Sequence, residues 1–132
     1  MAANCYSTIF VNYGDADRDI LTRQLRMLKE RYHSSVVLML ASDKDSQFLG
    51  QNADLFRDKI SLTDLDVSEA VLEYCQKGHI SVKEATYIGE LSDGDTRLKE
   101  AGLEVKNPDE MAESYKKAME MLQKMITPLK GR

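Results

Sequence analysis

The sequence predicts a small α/β or α+β domain: a short, mostly parallel N-terminal sheet of two or three strands packed on helices, then a helical C-terminal half. Three observations lead there. Residues 5–13, CYSTIFVNY, are β-branched and aromatic, the composition of a strand. Residues 36–41, VVLMLA, form a second apolar run. Between them Leu21, Leu25, Leu28 and Tyr32 recur at intervals of four, three and four, the spacing of one helical face.

The run at 36–41 decides the class. As a helix it would start with two β-branched residues, be apolar all round, and continue into Ser42, Asp43 and Asp45, which favour caps and turns. As a strand buried on both faces it needs no special pleading. Strand is the preferred reading, and an all-α bundle is the alternative. About 20 residues separate the two runs, enough for a right-handed crossover and hence parallel strands. Asp15, Asp17 and Asp19 crowd the start of the intervening helix and Lys29 and Arg31 its end, which suits the helix dipole.

Ser42 and Asp45 then read as the N-terminus of a new helix over 43–59, with Phe48, Leu49, Leu55 and Phe56 on it and Gly50 as a weak point. Residues 61–66 are a connection. Further helices are expected from Val67 to Lys77, stopped by Gly78, and from Ser81 to Leu91, where Ser81 and Glu84 form a capping box. A short helical turn fits Thr96 to Ala101, and Leu103 to Lys106 can form a third, edge strand. Asn107-Pro108 is a strong helix start, with Asn as N-cap and Pro in the first turn, and that helix is expected to run to Thr127. The chain is thus read as one domain over 1–132, strand–helix–strand in 1–45 and mainly helical in 46–132.

The totals narrow the function classes. The 132 residues suit one compact domain, and 42% hydrophobic with 30% charged residues is globular composition, not disorder. A net charge of −4 weighs against a nucleic-acid coat. A nucleic-acid binder would need a basic patch assembled from Arg18, Arg23, Arg26 and the tail lysines. Apolar runs fall far short of a membrane span, no secretory signal is visible, and two cysteines make no disulfide scaffold, so a reduced, cytoplasmic protein is expected. Cys75 and His79 lie four apart without the second close pair that a zinc site needs. Because Cys75 follows Val71 and Leu72 on an apolar face, it reads as a buried structural thiol.

The last helix is the most informative segment. Met111, Tyr115, Ala118, Leu122 and Met125 follow a four-three-four-three seam, widened by Met119 and Ile126, and four of the seven methionines lie here. Methionine adapts to irregular partners. The seam is either core or a docking face presented by Met111, Tyr115, Met119, Leu122 and Met125. Charge is unevenly spread: 61–110 holds 12 acids and 5 bases, 116–132 holds 5 bases and 1 acid. An acidic middle and a basic end invite contact between molecules.

Chemistry has one candidate location. Two parallel neighbours bring Asp15 and Asp17, after the first strand, to the same edge as Asp43 and Asp45, after the second. Four carboxylates could hold Mg²⁺ and serve phosphoryl chemistry, with Asp15, Asp43 and Asp45 catalytic. The other reading makes them helix-start residues. The Asp-Lys-Asp at 43–45, after an apolar strand and near Gly50, is similar over a dozen residues to the Asp-x-Asp element of Toprim-type nucleic-acid enzymes. Where that family has a glutamate after its first strand, this chain has Tyr13-Gly14-Asp15. Residues 7–32, STIFVNYGDADRDILTRQLRMLKERY, resemble the opening strand and helix of TIR domains, a likeness that stops near His33. Residues 80–99 resemble a helix-turn-helix in the spacing of Ala85 and Gly89, but Asp93 and Asp95 would face phosphates with like charge. No glycine-rich phosphate loop, Gly-x-Ser-x-Gly or His-Glu-x-x-His occurs.

The function expected is therefore a non-enzymatic interaction or regulatory protein working through the Met-rich helix on a protein partner or a second copy. No cofactor and no membrane contact are expected of it, and nucleic acid is disfavoured as a partner. The alternative is a Mg²⁺-dependent enzyme on phosphate or nucleic-acid substrates.

Overall fold

The apolar run at 36–41 is extended in the structure, a computed structural model that describes residues 8–14, 18–62, 66–91 and 94–130, the last six of these by their backbone only. Strand β1 (Thr8–Val11) and strand β2 (Ser35–Leu40) pair in parallel, Thr8 opposite Ser35 and Val11 opposite Leu38, with helix α1 (Arg18–Tyr32) as the crossover. Both strands are covered on both faces, which is why their sequences are continuously apolar rather than alternating. The strand–helix–strand unit thus stands as expected.

The rest of the chain does not become a helical half. It continues as α2 (Asp43–Gln51), β3 (Asp58–Ser61), α3 (Val67–Lys77), a single 3-10 turn at Val82–Glu84, β4 (Ala85–Ile88), α4 (Arg97–Glu100), β5 (Glu104–Lys106) and α5 (Pro108–Lys130). The sheet has five strands in the order β3-β2-β1-β4-β5, every neighbouring pair parallel. The expectation of two or three strands with a helical C-terminal half, and the all-α alternative, are both overturned. This is an α/β fold built along the whole chain.

The physical reasons are local. β3 is an edge strand, DKIS, whose Asp58, Lys59 and Ser61 are exposed, so it carries no apolar signal. β4, ATYI, is four residues long and buried throughout, too short for a period to separate strand from helix. The capping pattern of Ser81 and Glu84 starts only the 3-10 turn, which ends where β4 begins. The helix expected over 43–59 stops at Gln51, and Leu55 and Phe56 enter the core from the loop that follows.

Two apolar layers sandwich the sheet. On one face Ile9, Val11, Val36, Leu38 and Ile88 meet Leu21 and Leu25 of α1, with Phe48 of α2 and Met111 of α5 packed against them. On the other, Phe10, Val37, Met39, Ala85 and Tyr87 meet Ala70, Val71 and Cys75 of α3 and Leu98 of α4. Phe10 and Tyr87 are wholly buried. Fully burying one large apolar side chain contributes roughly 1.5–3 kcal/mol, so these layers carry most of the favourable free energy. The chain steps outward from β1 to β3 with α1 and α2 on the first face. It then recrosses to β4 through α3, which places α3 and α4 on the second. No described helix is long and apolar enough to cross a membrane.

Helix α5 starts as the sequence predicts. Asn107 Oδ1 accepts from the backbone N–H groups of Asp109 at 2.8 Å and Glu110 at 3.1 Å, and Pro108 is buried in the first turn. The helix returns to the first face beside α1, where Gln24 Nε2 donates to the Met111 carbonyl at 3.0 Å. It then continues through Pro128 to Lys130, past the expected end at Thr127.

Candidate functional site

In an open parallel sheet, ligands bind where the strand order reverses, outside the strands' carboxyl ends. Here that point lies between β1 and β4. The Asn12 backbone N–H donates to the Ile88 carbonyl at 2.8 Å, closing the two strand ends together. The Asn12 side-chain amide donates to the Tyr87 hydroxyl at 3.2 Å, and that hydroxyl donates to the Glu90 carbonyl at 2.8 Å. A Cβ at Gly89 would sit 2.6 Å from the Tyr87 hydroxyl and 2.9 Å from Asn12 Cβ, so only glycine fits. Asn12 and Tyr87 thus occupy the gap between β1 and β4, and beside it a polar pocket is lined by Gly89, Glu90, Asp95, Lys99, Asn107 and Glu110. Burial pushes the Tyr87 phenol up to about 12.

The aspartates expected at this edge have separate fates. Asp15 and Asp17 lie outside the described residues. Asp45 is 1% exposed, and both its oxygens are engaged. Oδ1 accepts from Arg18 Nη2 at 2.8 Å, and Oδ2 accepts from the backbone N–H groups of Ala41 at 2.9 Å and Ser42 at 3.1 Å. This carboxylate closes the N-terminus of α2, with Ser42 as the N-cap, and ties it to α1. The Arg18 guanidinium also lies over the Tyr13 ring, 5.5 Å from its centroid. Asp43 is exposed. Asp43 and Asp45 both line an open pocket together with Gly14, Arg18 and Lys44. Among the described residues no three His, Cys, Asp or Glu side chains gather where they could hold a metal.

Other candidates are spent on structure as well. Arg26, one member of the expected basic patch, forks onto Asp54 with contacts of 2.8 and 3.2 Å, and Arg18 is committed to Asp45. The segment read as a helix-turn-helix contains β4, so that reading is corrected by the sheet. Cys75 is a free, buried thiol whose ionisation is disfavoured by burial.

The seam of α5 is divided. Met111 and Tyr115 are partly buried and Ala112 is 6% exposed, so the first two turns belong to the chain's own core. From Lys116 through Lys124 every residue is exposed. Met119 and Leu122, two of the predicted docking residues, are 42% and 51% exposed; the side chain of Met125 lies outside the described set. The geometry explains the division. Met111 lies beside Gln24, and α1 has eight residues left before it ends at Tyr32. At 1.5 Å per residue α1 ends about 12 Å farther on, opposite Met119, so Leu122 lies beyond it, while the exposure that starts at Lys116 shows α5 drawing away from α1 before that point. The stripe that packs on α1 thus runs on past the end of α1, where no described residue buries Met119 or Leu122.

Two exposed residues that sequence reasoning missed extend this surface. Met121, 64% exposed, flanks the seam rather than lying in it. Met27, 47% exposed, sits on α1 one turn after Gln24, on the flank that faces α5. The signal for Met121 was the methionine content of the helix itself; Met27 had none, because only the packing of α5 shows which flank of α1 matters.

Compared with protein-family models, curated proteins and solved structures, the chain matches none of them.

Proposed function

We propose that this chain is an interaction protein that associates with a second copy of itself through residues 116–130 of α5. The observation that carries the reading is the seam that begins inside the core and continues bare. Covering the half-exposed side chains of Met119, Met121 and Leu122 is worth roughly 1 kcal/mol each per copy. Methionines suit a surface that must adapt to a neighbour. Charge favours a second copy as that neighbour. The basic 116–132 segment and the acidic 61–110 segment attract each other between molecules, whereas two basic tails placed side by side repel.

The test is a truncation placed by the structure. Ending the chain at Asn107 would remove Met111 and Ala112 from the core and unfold it. Ending it at Lys117 removes the exposed residues 118–124 and the last turns of the helix and leaves Met111, Ala112 and Tyr115 in place. The full chain is expected to sediment as a dimer or larger at micromolar concentration and to weaken as salt rises. The chain ending at Lys117 loses only the helical signal of 118–130, unfolds as cooperatively as the full chain and sediments as a monomer. A full chain that is monomeric throughout, or a truncated chain that stays associated, overturns the reading.

A further inference from the structure

Sulfur is sorted between the core and the surface. Among the described side chains five large hydrophobic residues are exposed, and three of them are the methionines Met27, Met119 and Met121. The buried core of the same residues holds one methionine, Met39, among aliphatic and aromatic side chains. Met119 and Met121 lie on the bare part of α5. Met39 is wholly buried in β2, and Met111 is partly buried in the first turn of α5. An oxidant in water therefore reaches the sulfurs of the exposed helix and not the one in the sheet. The Cys75 thiol is buried too, and burial disfavours its thiolate, the form that reacts with a peroxide.

We propose that Met119 and Met121 form a reversible oxidation site that switches α5 from associating to monomeric, an inference that rests on the self-association reading above and names its regulation. The oxidant is a hydroperoxide. A thioether sulfur attacks one peroxide oxygen, the O–O bond breaks as the S–O bond forms, and the proton of the transferred oxygen passes to the leaving oxygen. That oxygen departs as water or an alcohol; sulfur has lost two electrons and the peroxide has gained them. Two thiols reverse the step, ending as a disulfide while the sulfoxide oxygen leaves as water. The sulfoxide is polar, so covering it with an apolar neighbour costs the desolvation that a thioether escapes. It is also neutral, so the charges of Lys116, Lys117 and Lys124 are unchanged. Because no described residue buries Met119 or Met121, the added oxygen leaves the fold intact. Association and oxidation then compete for the same atoms. A partner that covers the two sulfurs shields them, so oxidation acts on dissociated copies and holds them apart.

The experiment treats the full chain with hydrogen peroxide at one chain concentration above the association midpoint and one below it. Peptide masses are expected to show one added oxygen at Met119 and at Met121 and none at Met39, with oxidation of the first two about tenfold slower in the concentrated sample. The oxidised chain keeps its unfolding transition and associates about a hundredfold more weakly than the untreated chain, with the same salt dependence. Methionine sulfoxide reductase with a dithiol restores association. A Met119→Leu, Met121→Leu chain keeps the apolar surface and associates equally before and after peroxide. A parent chain oxidised at both positions that associates like the untreated one overturns the switch and leaves association through α5 intact. Oxidation of Met39 as fast as Met119, or a leucine chain that peroxide dissociates, overturns the assignment to these two sulfurs. An untreated chain that is itself monomeric overturns the association reading and the switch with it.

Discussion

Replacing Asp45 with alanine is expected to lower the stability of the fold by about 3 kcal/mol, read from denaturant unfolding. The carboxylate is buried, and its loss leaves the Ala41 and Ser42 amides without an acceptor and the Arg18 guanidinium without its counter-charge. Arg18 is 22% exposed along its side chain, so water recovers part of the loss, which places the effect at the low end of the range for a broken buried pair. Asp45→Asn retains one acceptor oxygen for the two amides and should cost about half as much. Asp43→Asn, two residues away and exposed, should stay within about 0.5 kcal/mol of the parent. The contrast separates two roles for this edge. A carboxylate held ready for chemistry is a strained or under-satisfied group, and removing it leaves stability unchanged or raises it. An Asp45→Ala chain that unfolds at the parent's denaturant concentration contradicts a structural role for Asp45.

Raising the pH from 10 to 12 is expected to remove roughly 4 kcal/mol of stability, about half from Tyr13 and half from Tyr87. Burial pushes both phenols up to about 12, and both are at most 1% exposed. In the unfolded chain a tyrosine loses its proton near pH 10; in the folded chain these two hold theirs until about pH 12. Between those values the unfolded state binds fewer protons, so stability is complete below pH 10 and falls as pH rises toward 12. Tyr74, also raised to about 12, is only partly buried beside Asp58 and contributes less. Tyr13→Phe, which gives up only the 3.2 Å contact with the Thr22 hydroxyl, should reduce the alkaline loss by about half. Denaturant midpoints that stay constant from pH 9 to 11.5 contradict the assignment.

What could be read from the sequence was set by burial and length. Residues 36–41 carry enough consecutive β-branched and aliphatic side chains to identify a strand covered on both faces, and the start of α5 is spelled out by Asn107 and Pro108. β3 was illegible because an edge strand keeps Asp58 and Lys59 in water. β4 was illegible because Ala85-Thr86-Tyr87-Ile88 is too short to show a period and follows a capping pattern. The carboxylates after β2 were visible as residues but not as partners. That Asp45 folds back onto Ala41 and Ser42 and reaches Arg18, 27 residues earlier, depends on the crossover returning α1 to that edge. The seam of α5 was legible throughout. Where it changes from core to surface was not, because that depends on how α5 draws away from α1.

Amide hydrogen exchange along α5, followed at one chain concentration above the association midpoint and one below it, bears most directly on self-association. Residues 109–115 are expected to be protected at both concentrations, being held on the core, while residues 118–130 are protected only when the chain is concentrated enough to associate. Protection of 118–130 that is the same at both concentrations would contradict association through this helix.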